Sequence, residues 1–111
     1  VDIFGAVGIH GFESAYGEAM DAVLADSNID AVVAILMLTD ETGVPDYDFI
    51  TDLAAKYPAK PIYATFMGQH ELNVAAKAYL EPRGIPAYMG VEEPFEVLGV
   101  LARCRAAMDR R

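Results

Sequence analysis

The chain has 111 residues, is 54% hydrophobic and carries a formal charge of −9 at pH 7, with a pI near 4.4. That length and apolar content suit one compact domain and exclude a disordered segment. The acidity argues against nucleic acid or an anionic membrane as the main partner, and no apolar run approaches the length that spans a bilayer.

The one cysteine, Cys104, excludes an internal disulfide and offers no zinc-ligand spacing. It lies in a helical pattern between Arg103 and Arg105, as a small apolar residue would. Cysteine usage fits a reducing, cytoplasmic setting. The sequence opens on Val1-Asp2-Ile3-Phe4, without an initiator methionine. The expectation is a single subdomain, residues 1–111, cut from a longer multidomain protein.

In chain order, residues 1–4 form a short strand candidate, followed by the glycine-spaced loop 5–11. Phe12, Ala15, Ala19, Ala22 and Val23 then recur at helical spacing. Asp26-Ser27-Asn28 stops that helix. Residues 31–38 are continuously apolar and rich in Val, Ile and Leu, which predicts a strand covered on both faces in a parallel sheet. A polar loop, 39–43, leads to a helix from about 45 or 46, with Phe49, Ile50, Leu53 and Ala54 facing inward. Pro58 breaks the chain before a third strand at 61–66. A helix over 69–80 follows, with Leu72, Ala75, Ala76 and Tyr79 inward, and Pro82 and Gly84 end it. Residues 85–89 give the fourth strand. The last helix, 93–108, carries Phe95, Leu98, Val100, Leu101 and Cys104, and its arginine-rich end complements the helix dipole.

The pattern is βαβαβαβα without repeats or linkers. It predicts an α/β fold: an open parallel sheet with helices on both faces and right-handed crossovers. Ligands bind such sheets at the carboxyl ends of the strands. Here those ends are the segments 5–11, 38–43, 67–70 and 89–93.

Few ionisable groups in these loops have partners in sequence. His70 opens a helix with no cysteine, serine or second histidine close by, and reads as an exposed helix-start residue. The backbone N–H groups there, just past Gly68, are better suited to hold a carboxylate or phosphate oxygen. His10 reads as a solvated loop histidine. The glycines 5, 8 and 11 have the wrong spacing for a dinucleotide fingerprint, and a P-loop ending is missing. Asp40 follows a buried strand, as a phospho-acceptor would, but no lysine follows the next strand. Asp40 and Glu41 therefore read as a solvated acidic loop. No metal ligation is expected at either histidine.

Several ordered segments together resemble one known subdomain. They are VDIFG, AYGEAMDAVLADSNIDAVVAIL, KPIYATFMGQ, AAKAYLEPRGIPAY and EEPFEVLGVLARCR. The likeness is to the late flavodoxin-like, succinyl-CoA ligase-like subdomain of the NDP-forming acyl-CoA synthetases, and it covers nearly the whole chain. It includes the pattern Leu24-x-Asp26-x-x-Ile29-Asp30-Ala31 and the Gly-Ile-Pro strand start at 84–86.

The resemblance implies a parent enzyme that makes acyl-CoA from a carboxylic acid, CoA and a nucleoside triphosphate. The route passes through an acyl phosphate and a phosphohistidine. That histidine sits on another subdomain in a Ser-His-Thr-Gly-like or Gly-His-Ala-Gly-like motif, which neither His10 nor His70 matches. No catalytic residue is therefore assigned here, and the isolated chain is expected to be inactive. The segment itself is expected to bind no cofactor. CoA and ATP or ADP with magnesium belong to the parent. In the succinyl-CoA ligase branch this subdomain's loops hold the substrate carboxylate, and the corresponding positions here are Gly5, Ala6, Gly8, Leu38, Thr39, Gly68 and Gln69. The sequence departs from that branch at 37–39 and 68–70, so its acid need not be succinate.

The expected partners are a carboxylic acid or acyl phosphate and other synthetase subdomains or subunits. The resemblance also implies that a first strand-helix unit is missing. Its strand would be central, between residues 1–4 and 32–38, and a homodimer is one way to fill that gap. The alternative function is a non-catalytic regulatory or ligand-binding module of a synthetase-like protein acetyltransferase. A free-standing FMN carrier would need a hydroxyl-rich phosphate loop with flanking aromatic residues, and the sequence has neither.

Overall fold

The computed structural model describes residues 2–40 and 42–110, apart from the side chain of Phe4. Its elements are α1 (Phe4–His10), α2 (Phe12–Ala25), β1 (Val32–Leu38), α3 (Asp48–Lys56), β2 (Ile62–Gly68), α4 (His70–Leu80), a 3-10 turn (Glu81–Arg83), β3 (Ala87–Tyr88) and α5 (Glu93–Asp109). The sheet has three strands in the order β1-β2-β3, and both pairings are parallel. The fold class is the expected one, an open parallel α/β sheet flanked by helices. It is consistent with a flavodoxin-like fold lacking one unit.

Two expectations at the amino end are corrected. Val1 lies outside the described residues. Asp2 and Ile3 form no strand, and Phe4 already begins a helix, so the four-strand count falls to three among the described residues. Residues 5–10 are helix rather than loop. The reason is the four-residue spacing of Ile3 and Val7, which both pack against the core, while the Val7 N–H donates to the Ile3 carbonyl at 3.1 Å. Gly11, with a φ of +88°, breaks this helix from α2.

Register places Val32, Ala34, Leu36 and Leu38 on one face with Ile62, Ala64 and Phe66. The core forms between this face and helices α2, α3 and α4. It includes Leu24, Leu36, Leu38, Ile50 and Leu80, all fully buried. In α2 the buried residues are Phe12, Ala15, Tyr16, Met20 and Leu24. Ala19 and Val23 are half-buried and Ala22 is exposed, so the inward stripe lies slightly around the helix from the one expected. Crossovers of one hand put α3 and α4 on the same side, and α5 returns on the other. Thr65 Oγ1, on that second face, donates to the Gly90 carbonyl at 2.9 Å just before α5.

β2 is the strand covered on both faces: each residue from Ile62 to Phe66 is buried. For β1 this expectation is corrected. Its even-numbered side chains are buried from Ala34 onward, but Val33 and Met37 are only half-buried and Ile35 is 37% exposed. β1 is an edge strand, and α5 covers the second face only in part. From Ala102 onward every described residue of α5 is exposed.

Candidate functional site

The carboxyl ends of β1 and β2 meet at a tight junction. Gly68 ends β2 with a φ of +104°, and a Cβ there would sit 2.1 Å from the Leu38 carbonyl oxygen. Only glycine tolerates both the conformation and the approach. The chain then turns, and the Gln69 N–H donates to the Leu38 carbonyl at 2.9 Å. Gln69 is the N-cap of α4 and makes no side-chain cap bond. The first intrahelical bond of α4 runs from the Asn73 N–H to the Gln69 carbonyl. The N–H groups of His70, Glu71 and Leu72 are those the helix geometry leaves without a partner of its own.

After β1, residues 39–43 fold back on themselves. The Thr39 N–H donates to Thr42 Oγ1 at 3.0 Å, and the Thr42 and Gly43 N–H groups both donate to the Thr39 carbonyl. This closed turn is local hydroxyl–backbone chemistry. It consumes the Thr39 backbone donor and leaves the Thr39 hydroxyl as the group this position can offer a ligand. Glu41 lies outside the described residues.

Beside this turn is a cleft of about 520 Å³ lined by Val7, Gly8, Gly11, Phe12, Glu13, Tyr16, Met37, Thr39 and Thr42. Of the seven residues expected at the acid site, Gly8 and Thr39 line it together. Leu38, Gly68 and Gln69 form the adjoining strand junction. Gly5 and Ala6 lie on α1 and are not among the lining residues. The Leu38 side chain is wholly buried, so only its backbone reaches the strand end. Glu13, the one carboxyl among the described lining residues, accepts a hydrogen bond from the Asp46 N–H at 3.0 Å. No lysine or arginine lines the cleft among the described residues.

Tyr16 and Glu13 are lining residues that the sequence reading did not single out. Their signal was helical: both sit on α2, whose start Gly11 sets against the end of β1. Burial raises the Tyr16 phenol pKa, which the Met37 N–H partly offsets and Asp2 reinforces. Tyr47, packed edge-on against Phe12, is pushed up to about 12 by burial and by Glu13. His10 closes α1 and His70 opens α4. Both are exposed and lie outside the cleft.

The chain is an α/β subdomain: a three-stranded open parallel sheet flanked by helices, with a cleft at the end of β1. Over 106 residues, 93% of this chain, the sequence is 33% identical to the acetate–CoA ligase [ADP-forming] II of Archaeoglobus fulgidus. The match supports the resemblance read from the sequence, to a subdomain of an NDP-forming acyl-CoA synthetase. The chain spans 15% of the length of that curated relative. No family model matches the chain, and no solved structure matches it.

Proposed function

We propose that this chain is the acid-site subdomain of an ADP-forming acyl-CoA synthetase, working in the cytoplasm. The reaction joins a carboxylic acid to CoA at the expense of a nucleoside triphosphate, through an acyl phosphate. The phosphohistidine, the CoA site and the nucleotide-magnesium site belong to other parts of the parent. The role of this segment is to hold the acid or acyl phosphate at the ends of β1 and β2 and to present it to neighbouring subdomains.

The observation that carries this reading is the placement of Gly8 and Thr39 in one cleft beside the Gly68–Gln69 junction. In this reading the start of α4, which follows the junction, offers N–H dipoles at the end of β2, and the Thr39 hydroxyl offers one more donor at the cleft. With no cation in the walls, binding by the chain alone is expected to be weak. The parent's remaining subdomains supply the missing charge, which is why the isolated chain has no ligase activity in this account.

Titrating the isotope-labelled chain with acetate, and separately with acetyl phosphate, tests the proposal by NMR. Saturable amide shifts grouped on Gly8, Thr39, Thr42 and residues 69–72 are expected. Shifts confined to other surfaces, or none up to the solubility limit of the acid, would refute this placement of the acid.

A further inference from the structure

We propose that Glu13 is a specificity-determining residue of the acid cleft and selects acids that carry an ammonium group on a short methylene stem, the ω-amino acids. This rests on the reading of the cleft as the acid site and adds to it the class of acid.

The polar groups lining the cleft divide into those already used and those open to a ligand. The Tyr16 hydroxyl is held by the edge of β1, between the Ile35 carbonyl and the Met37 N–H. Thr42 Oγ1 is held by the Thr39 backbone. Glu13 Oε1 accepts from the Asp46 N–H at 3.0 Å. That leaves the Thr39 hydroxyl and the second carboxylate oxygen of Glu13. Val7, Phe12 and Met37 supply apolar wall, and a Cβ at Gly8 or Gly11 would meet nothing within 4 Å. This set suits a ligand with a carboxylate, a hydrocarbon stem and a second polar group that donates.

Glu13 is held in place from outside the cleft. Asp46, whose N–H it accepts, takes the Asp48 N–H on its own carboxylate at 2.9 Å. Asp48 in turn accepts from the Tyr79 hydroxyl of α4. A carboxylate oriented by such a chain of bonds needs little further ordering to meet a ligand. The residue is exposed, so a ligand reaches it from solvent. Its charge also acts on its surroundings, since burial and then Glu13 push the Tyr47 phenol up.

A simple carboxylate brings a second negative charge into a cleft that already holds one. An ω-amino acid brings its own ammonium to Glu13, and the pair attracts instead. Water reaches this pair, so the expected gain is about fivefold in Kd.

Two acids of equal size separate this selection from acid binding in general. The ion γ-aminobutyrate differs from pentanoate by an ammonium in place of the terminal methyl. NMR titration of the 111-residue chain with each reads a Kd from the amides of Gly8, Thr39 and Thr42. The expected Kd for γ-aminobutyrate is lower by about fivefold, and Glu13→Gln is expected to remove that preference. Glutamine keeps an acceptor for the Asp46 N–H and loses only the charge. Equal Kd values, or a lower one for pentanoate, would overturn the selection and leave the acid site standing. A preference that survives in Glu13→Gln would overturn the assignment to this residue. No saturable shift at these amides with either acid would overturn the acid-site reading and this inference with it.

Discussion

The Tyr16 hydroxyl donates to the Ile35 carbonyl at 2.7 Å and accepts from the Met37 N–H at 3.4 Å. A side chain of α2 thereby binds the free edge of a β-strand. Alternation along β1 sends Val32, Ala34, Leu36 and Leu38 backbone groups toward β2, and Val33, Ile35 and Met37 outward. Exposed edge groups invite pairing with other chains. Tyr16 satisfies two of them and ties α2 to the sheet.

Tyr16→Phe keeps the ring in the core and removes only this bridge. The expected loss is about 1 kcal/mol of stability, read from chemical denaturation, together with faster hydrogen exchange at Met37. Unchanged exchange at Met37 would mean that the hydroxyl does not hold the edge.

Gly68→Ala is expected to be far more damaging. The new Cβ meets the Leu38 carbonyl oxygen at 2.1 Å in a backbone conformation with φ near +104°. Relief requires the β1–β2 junction to open, at a cost of about 3 kcal/mol or more. Thermal unfolding of the variant measures it. A melting point equal to that of the parent would contradict the geometry of the strand ends.

Hydrogen exchange is expected to be slowest in β2 and alternating in β1. Residues 62–66 are buried on both faces, whereas β1 pairs with a strand on one side only. Val32, Ala34 and Leu36 are therefore expected to exchange more slowly than Val33 and Ile35. Uniformly slow exchange along β1 would point to a partner strand on its outer edge.

Tyr47 sets an alkaline limit. Its folded-state pKa, about 12, lies above the ordinary tyrosine value of 10.0, so the folded state disfavours the phenolate. The resulting stability is complete below pH 10 and is lost as pH rises through about 12. Ultraviolet titration is expected to show a phenol ionising near the top of that window. Tyr47→Phe is expected to remove that step and flatten the alkaline decline. A titration of the parent complete well below pH 12 would contradict the burial.

Most of the sheet and four of the five α-helices were legible in the sequence because their apolar residues repeat at the period of the element they form. Residues 62–66 and the stripe Ile50, Leu53 needed nothing else. The amino end misled because residues 1–4 are apolar enough for a strand, whereas burial follows Ile3 and Val7, a helical interval. The run 31–38 suggested two covered faces, but composition cannot tell a central strand from an edge strand whose second face awaits a cover. The strand ends were legible as places; their contents were less so. Leu38, the end of the apolar run and an expected acid-site position, turns its side chain wholly into the core, while Thr39 spends its N–H on Thr42. Such tertiary and local hydrogen bonds leave no periodic trace.

The central claim is that these loops hold the acid of a synthetase reaction, and Thr39→Val in the full-length parent tests it most directly. Steady-state kinetics would be measured with the acid, CoA and nucleotide each varied in turn. Losing one hydroxyl donor to the acid corresponds to about 1 kcal/mol, or roughly fivefold in affinity. The account predicts a KM for the acid raised by about that factor, with the KM values for CoA and nucleotide unchanged. An unchanged KM for the acid, with the loss falling on CoA or nucleotide instead, would contradict it.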